Sequence, residues 1–335
     1  MDKRESANLT SKAMKWLKIV AGFFTLTDAV EIFPQDSPSM YFLCNIYTWL
    51  LLLLSCEGVI MPPHVTTYQH PQEKGYGAAL TVIGSALWLL IILCVFLQKN
   101  PVAALIALVI YGLLLWVMMK FMSALFRAWM VGSMVVLSEQ QFPELYAIFV
   151  DVSRKLGLET APEAFIYNSH GVMNALALRL SRGRYVLLTS ALVEAEDNAQ
   201  LRFVIGHEIA HHVLGHLNLV KHFIRYPAFF VPFLYPAYSR AREYSCDAVS
   251  ASLLEDKNQA LTALQMLACG AKRLNYEMNP SAFIDQEKLM PAFAGFCREI
   301  FLSHPRMTRR VARLMSLFPI VMMKPDTASA RVTSQ

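Results

Sequence analysis

Between Asp36 and Lys120 the chain carries only four charged residues in 83 positions: Glu57, Glu73, Lys74 and Lys99. A water-soluble domain holds roughly one charged residue in four, so a stretch this apolar cannot make an ordinary domain surface. Within it, 77–97 offers 21 residues without a charge and 102–119 offers 18 more, separated by Gln98, Lys99, Asn100 and Pro101. As helices rising about 1.5 Å per residue they reach about 31 Å and about 27 Å, enough to cross a hydrocarbon layer of about 30 Å. A transmembrane helical hairpin is expected. A third apolar run, 46–61, includes five consecutive leucines but is short and contains Glu57. It either spans, or lies buried or along the interface.

Outside this stretch charged residues return to roughly a fifth of positions, close to a globular average. The composition therefore places a membrane-embedded N-terminal part before a water-soluble part of one domain's size. An apolar content of 55% and 14 aperiodic glycines exclude a disordered or collagen-like chain. The net charge of +5 is scattered, which gives nucleic-acid binding no support. Six cysteines without a C-x-x-C pair fit a reducing compartment better than a disulfide framework. The basic N-terminus (Lys3, Arg4, Lys12, Lys15, Lys18) precedes an apolar 19–24, but Asp28 and Glu31 come soon after that run, so a cleaved signal is not expected. Basic residues flank both ends of the hairpin, counting Lys120 and Arg127, which puts those ends in the cytoplasm if the hairpin alone spans. A third span would separate them. The chain is thus expected to be an integral membrane protein, in the inner membrane if bacterial, with its soluble domain facing the cytoplasm.

The expected organisation is an N-terminal region 1–76, the hairpin 77–119, a linker 120–141, a folded domain 142–318 and a flexible tail 319–335. In the domain, apolar spacing predicts a helix over 143–157 and a short strand over 164–167. Strands over 171–178 and 185–189 are joined by a turn at 181–184, where Gly183 supplies a permissive backbone. Asp197 with Gln200 forms a capping-box pattern opening a helix to about Val220. The aromatic 227–238 contains Pro227, Pro232 and Pro236 and reads as a lid or a membrane-dipping loop. Further helices are expected over 240–254, 258–274 and 308–317.

The chemistry is carried by His207, Glu208, Ile209, Ala210 and His211, an H-E-x-x-H string inside a helix. Helical spacing puts both imidazoles on one face, able to reach a single zinc ion. Glu208, turned about 100° away, can address a water rather than the metal. A third ligand in the metzincin register would fall on Leu217, with Gly215 and His216 each one residue out of place. His212 and His216 are therefore expected to face solvent or an outer layer. Glu243 and Asp247, one helical turn apart, supply a better answer: Glu243 ligates the metal and Asp247 accepts the outer N–H of a ligand histidine. Two histidines and one glutamate with an open fourth position make a catalytic rather than a structural zinc site.

The H-E-x-x-H helix, the string Ser239-Arg240-x-x-Glu243-Tyr244-x-x-Asp247, the pair Asn174-Ala175 on the preceding strand and the late His304-Pro305 with Arg310 together resemble the HtpX and CAAX-prenyl-protease family of integral-membrane zinc metallopeptidases. The resemblance covers about 141–317. It implies an α+β, mostly helical fold in which N-terminal transmembrane helices precede a zincin-like domain with a small β-sheet. It also implies one zinc per chain on His207, His211 and Glu243, Glu208 as base, Asp247 behind the ligands, and the strand at Asn174 and Ala175 beside the cleft. Two departures stand out: Cys246 replaces the alanine of many members, and the segment between the motif helices is too short and Pro-broken for the transmembrane pair of HtpX itself.

A zinc-activated water would then hydrolyse the peptide bond, with Glu208 taking the water's proton and returning it to the leaving amine. His304 and Arg310 are candidates for stabilising the oxyanion, with packing and ion-pair roles as the alternative. Asn174 lies where an extended polypeptide substrate could add as a strand, or is simply a polar hairpin residue. The expected partners are a polypeptide substrate and the lipid bilayer. The rival readings are a non-catalytic zinc-containing membrane scaffold, which would have no need of Glu208, and a transporter, which the absence of ionisable residues from both clear spans disfavours.

Overall fold

A computed structural model describes residues 63–180 and 183–318, all within the compact unit Val59–Gln335. The run 46–61, the basic N-terminus, two residues of the 181–184 turn and the tail 319–335 lie outside the described residues. A one-turn helix α1 (Pro63–Thr67) leads into α2 (Pro71–Phe96) and α3 (Pro101–Ser133). Both long helices begin with a proline, whose missing N–H costs nothing there. His70 caps α2 by accepting the Gln72 N–H at 3.2 Å, and Asn100 caps α3 by accepting the Ala103 N–H at 3.3 Å. Both are long and apolar enough to cross a membrane. They exceed the charge-free windows, and α3 runs through Lys120 to Ser133, a stretch expected to be linker.

The first half of α2 is docked on the following domain. Glu73, Gly77, Leu80 and Gly84 form a buried stripe at helical spacing. Gly84 is required by close approach: a Cβ there would lie 2.3 Å from the Ile224 carbonyl oxygen. Beyond it, Leu89 to Leu93 and Phe96 on α2 and most large apolar side chains of α3 are exposed.

The sheet has the order β1-β2-β4-β3. Strand β1 (Val135–Val136) pairs antiparallel with β2 (Glu163–Tyr167), β2 runs parallel to β4 (Gly183–Thr189), and β3 (Ala175–Leu180) pairs antiparallel with β4 at one edge. Strand β3 starts later than expected, because His170 at φ 54° and Gly171 at φ 92° turn the chain before Asn174. Both sheet faces are covered. Val186 and Leu188 join the main core with Phe149, Phe203, Ile205 and Ile209, while Tyr185 and Leu187 meet Met130 and Met134 from the end of α3. A central strand buried on both faces reads as a continuous apolar run, as 185–188 does.

Helix α4 (Pro143–Lys155) lies on the core face, the short α5 is Ser190–Ala195, and the motif helix α6 is Asn198–Val213. The capping box is formed: Asp197 accepts the Gln200 N–H at 2.8 Å and Gln200 accepts the Asp197 N–H at 2.9 Å. Helix α6 ends at Val213 rather than near Val220, because Gly215 takes φ 71° and Asn218 caps a new helix α7 (Leu219–Arg225). The Pro-broken segment then forms a 3-10 turn (Tyr226–Phe230) before α8 (Leu234–Ser252). Pro236 sits in the first turn of α8, where its missing N–H has no intrahelical acceptor to lose. Helix α9 (Asn258–Cys269) stops at Gly270, whose φ is 77°. Four helices complete the domain: α10 (Lys272–Glu277), α11 (Pro280–Asp285), α12 (Ala292–Phe301) and α13 (Met307–Leu317). The result is mostly helical with a small mixed sheet, and α6 lies across α8 at close range. A Cβ on Gly206 would meet Ser250 Oγ at 2.4 Å, so glycine beside His207 lets the two motif helices approach.

Candidate metal centre

That approach brings one turn of α6 against one turn of α8. His207 Nε2 and His211 Nε2 are 3.3 Å apart, His207 Nε2 is 3.4 Å from Glu243 Oε2, and His211 Nε2 is 3.6 Å from Glu243 Oε1. Donors about 2.0–2.1 Å from a tetrahedral zinc stand about 3.3 Å from one another, so two imidazole nitrogens each this close to the other and to one oxygen of the same carboxylate fit such an ion. Cys246 Sγ also comes within 4.8 Å of donor atoms on both histidines. It is the poorer donor, because burial and then Glu243 and Glu73 hold its thiol well above the usual range. Burial pushes the Glu243 carboxyl up, but hydrogen bonds from His207 and His304 and the charge of His207 and His211 outweigh this and leave it well below its ordinary value. Glu243 therefore brings a formal charge to the centre and Cys246 does not.

His207 is held from behind. His207 Nδ1 donates to Asp247 Oδ1 at 2.9 Å, and Asp247 accepts Arg310 Nε and NH2 at 2.8 and 2.6 Å. Burial opposes charge on Asp247, while Arg310 and then His207 bring its carboxyl below the usual value. The same two acids, Asp247 and Glu243, overcome burial to raise metal-free His207 to about 10. An ion binding there must displace that proton. Burial keeps His211 well below its usual value.

His212 and His216 do not face solvent. His212 is buried with Nε2 3.0 Å from the Tyr185 carbonyl oxygen, and burial lowers it to about 4. His216 is buried with Nδ1 3.0 Å from His211 Nδ1. Of the two expected positions, solvent or an outer layer, both take the second: His216 stands behind His211, and His212 is packed against β4. His304 sits on the open side, 67% exposed, with Nδ1 3.2 Å from Glu243 Oε2. Arg310 faces inward: its fork is occupied by Asp247, and NH1 is 3.9 Å from Glu243 Oε2.

Glu208 lies on the strand side of the centre, where its Oε2 accepts the Ala177 N–H of β3 at 2.6 Å. Burial raises its carboxyl pKa against the pull of His207. Because the Thr189 N–H donates to the Asn174 carbonyl at 3.1 Å, the backbone groups of Ala175 and Ala177 point away from β4, as antiparallel alternation requires. Asn174 is exposed and Ala175 half-buried at the start of this edge.

Fold and site define a metallopeptidase: H-E-x-x-H on one helix, an acidic third donor on the next, and an edge strand beside them. The sequence profile of peptidase family M48 matches residues 139–226 and 217–317, and the chain belongs to that family. It is 27% identical to a protease HtpX homolog of Polynucleobacter necessarius over 62% of this chain and 86% of that protein. It is 25% identical to a protease HtpX homolog of Bacillus licheniformis over 71% of this chain and 93% of that one. With the chloroplastic plastoglobule-localized metallopeptidase 48 of Arabidopsis thaliana it shares 24% identity over 47% of the chain, and it spans about half of that protein's length, 49%.

Proposed function

We propose that this protein is a membrane-anchored zinc endopeptidase in which His207, His211 and Glu243 hold one zinc ion and Glu208 is the general base. The observation that carries the reading is the convergence of the two Nε2 atoms, 3.3 Å apart, on the Glu243 carboxylate, one oxygen 3.4 Å from His207 and the other 3.6 Å from His211, with the carboxyl of Glu208 next to them on α6. A zinc ion held there supplies Lewis-acid polarisation of the scissile carbonyl and eases deprotonation of the attacking water. Glu208 takes a proton from that water as its oxygen bonds to the carbonyl carbon, then delivers it to the amine nitrogen as the C–N bond breaks. A raised carboxyl pKa suits both halves of this transfer. His304 is the donor on the open side for the negative charge that develops on the carbonyl oxygen. Arg310 acts through Asp247.

Glu208 occupies the Ala177 N–H and Asn174 bonds back to Thr189, so at this end of β3 it is the outward N–H and C=O of Ala175, beside the Asn174 side chain, that would pair with an extended polypeptide. Pairing through main-chain groups is tolerant of substrate sequence. The exposed apolar lengths of α2 and α3 serve as the anchor, with Lys99 at the outer tip and the peptidase domain in the cytoplasm, at the inner membrane if the cell is bacterial. Phe230, in the 3-10 turn that packs on α2, is 78% exposed, and Phe233, against Phe301 of α12, is 46% exposed; exposed aromatic rings here support apolar substrates taken close to the bilayer.

The test pairs metal content with turnover. Glu208→Gln is expected to keep full zinc and lose at least about 10²-fold in cleavage of an unfolded polypeptide. Glu243→Ala is expected to lose zinc, and Cys246→Ser to keep it. A Glu208→Gln enzyme that cleaves at the parental rate sinks the mechanism, and a zinc-loaded parent that cleaves nothing supports a scaffold instead.

A further inference from the structure

We infer that Glu73, in the first turn of the apolar helix α2, is a positioning residue of the metal centre that acts on His211 through His216. This rests on His211 being a ligand. A histidine that binds a metal through Nε2 must carry its proton on Nδ1 and needs an acceptor there. The group facing His211 Nδ1 is His216 Nδ1, at 3.0 Å. An imidazole that accepts on Nδ1 carries its own proton on Nε2, and His216 Nε2 lies 3.0 Å from Glu73 Oε1. The carboxylate thus selects the His216 tautomer, and that tautomer selects the one His211 needs.

The link is buried throughout, with Glu73 3% and His216 2% exposed. Glu73 is itself fixed: Gln69 Nε2 donates to Oε1 at 2.7 Å, and Ser245 Oγ, on the same helix as Glu243, donates to Oε2. Ser245 also accepts the His70 N–H at 2.8 Å, tying the cap of α2 to α8. Packing alone would be served by an apolar side chain, since a buried carboxylate without partners is costly. The partners here lead to one place. The helix that continues into the membrane-spanning length therefore belongs to the metal site, and the anchor and the centre form one unit.

The experiment uses the full chain purified in detergent and loaded with zinc or with Co²⁺ as a spectroscopic stand-in. Zinc loss to a chelator, the Co²⁺ d–d bands and the metal-free melting temperature are measured for the parent, Glu73→Leu, Glu73→Gln and His211→Ala. Glu73→Leu is expected to lose zinc about tenfold faster, the lower end of what outer partners of ligands confer. Glu73→Gln, whose amide oxygen still accepts from His216, is expected to lose it only a few-fold faster while shifting the Co²⁺ bands, and His211→Ala not to retain zinc. Parental zinc loss and parental Co²⁺ bands in both Glu73 variants, with or without a lower melting temperature, overturn the inference while His211→Ala still loses the metal. If Glu73→Leu does not fold, the bands and zinc loss of Glu73→Gln decide alone. Parental zinc retention by His211→Ala instead overturns the ligand reading.

Discussion

Replacing Arg310 by methionine probes the support behind the centre. Arg310 grips Asp247 through two hydrogen bonds of 2.8 and 2.6 Å, and the two side chains are only 10% and 2% exposed. Removing Arg310 leaves the Asp247 charge out of water with the His207 N–H as its remaining hydrogen bond, at a cost of about 3–5 kcal/mol. Against a total stability of about 5–15 kcal/mol this is a large fraction. For a domain of this size each kcal/mol moves the midpoint by about 2–4 °C, so metal-free Arg310→Met should melt about 6–20 °C below the parent. Replacing both partners, Arg310→Met with Asp247→Leu, removes the stranded charge and should bring stability back to within about 1–2 kcal/mol of the parent. Zinc retention should stay about tenfold weaker in that double variant, because His207 Nδ1 has lost its acceptor. The assay is a double-mutant cycle by thermal melting of the metal-free protein in detergent, with chelator competition alongside. A single variant within about 2 °C of the parent, or two single-variant losses that simply add in the double, would refute the reasoning.

The docking of α2 can be tested at Gly84, where an added methyl group would meet Ile224 O at 2.3 Å and Arg225 Cα at 3.0 Å. Since the obstacle is backbone, Gly84→Ala should cost about 1–3 kcal/mol, whereas Gly75→Ala, with nothing within 4 Å, should be neutral or slightly stabilising; equal melting temperatures would show that α2 does not seat there. Burial, and then Asp197, raise Glu196 from 4.5 to about 8. Between those values the unfolded chain has released a proton that the folded one keeps, so stability should fall from about pH 5 to about pH 8, by an amount on the order of 3–4 kcal/mol. Glu196→Gln should flatten that slope, and a parent already flat over this range would show that Glu196 is not held protonated.

Whatever depends on local spacing is written in the chain itself. Asp197 and Gln200 set the start of α6, because a capping box closes within one helical turn. His207 and His211, like Glu243 and Asp247, are committed to a common face by a four-residue interval in a helix, whatever surrounds them. The charge-free windows marked out the two apolar helices in the same way, since length and composition are properties of the chain alone. Where α6 stops was not legible: the apolar and histidine pattern continues beyond Val213, and only the backbone at Gly215, with φ 71°, breaks the helix. Nor was the fate of His216, one residue out of the expected ligand register, because whether an imidazole meets water or a buried acceptor depends on what packs over it. Its partner Glu73 lies 143 positions away, in the N-terminal region ahead of the expected hairpin. Strand β1, two residues long, has too little alternation to announce itself and exists because β2 offers it hydrogen bonds. Periodicity records which face of an element is apolar, but it holds no information about which distant element will cover that face. Closing the long loop that joins Glu73 to His216 is a decision of the assembled core, where burial makes an unpaired carboxylate or imidazole too costly to leave without its partner.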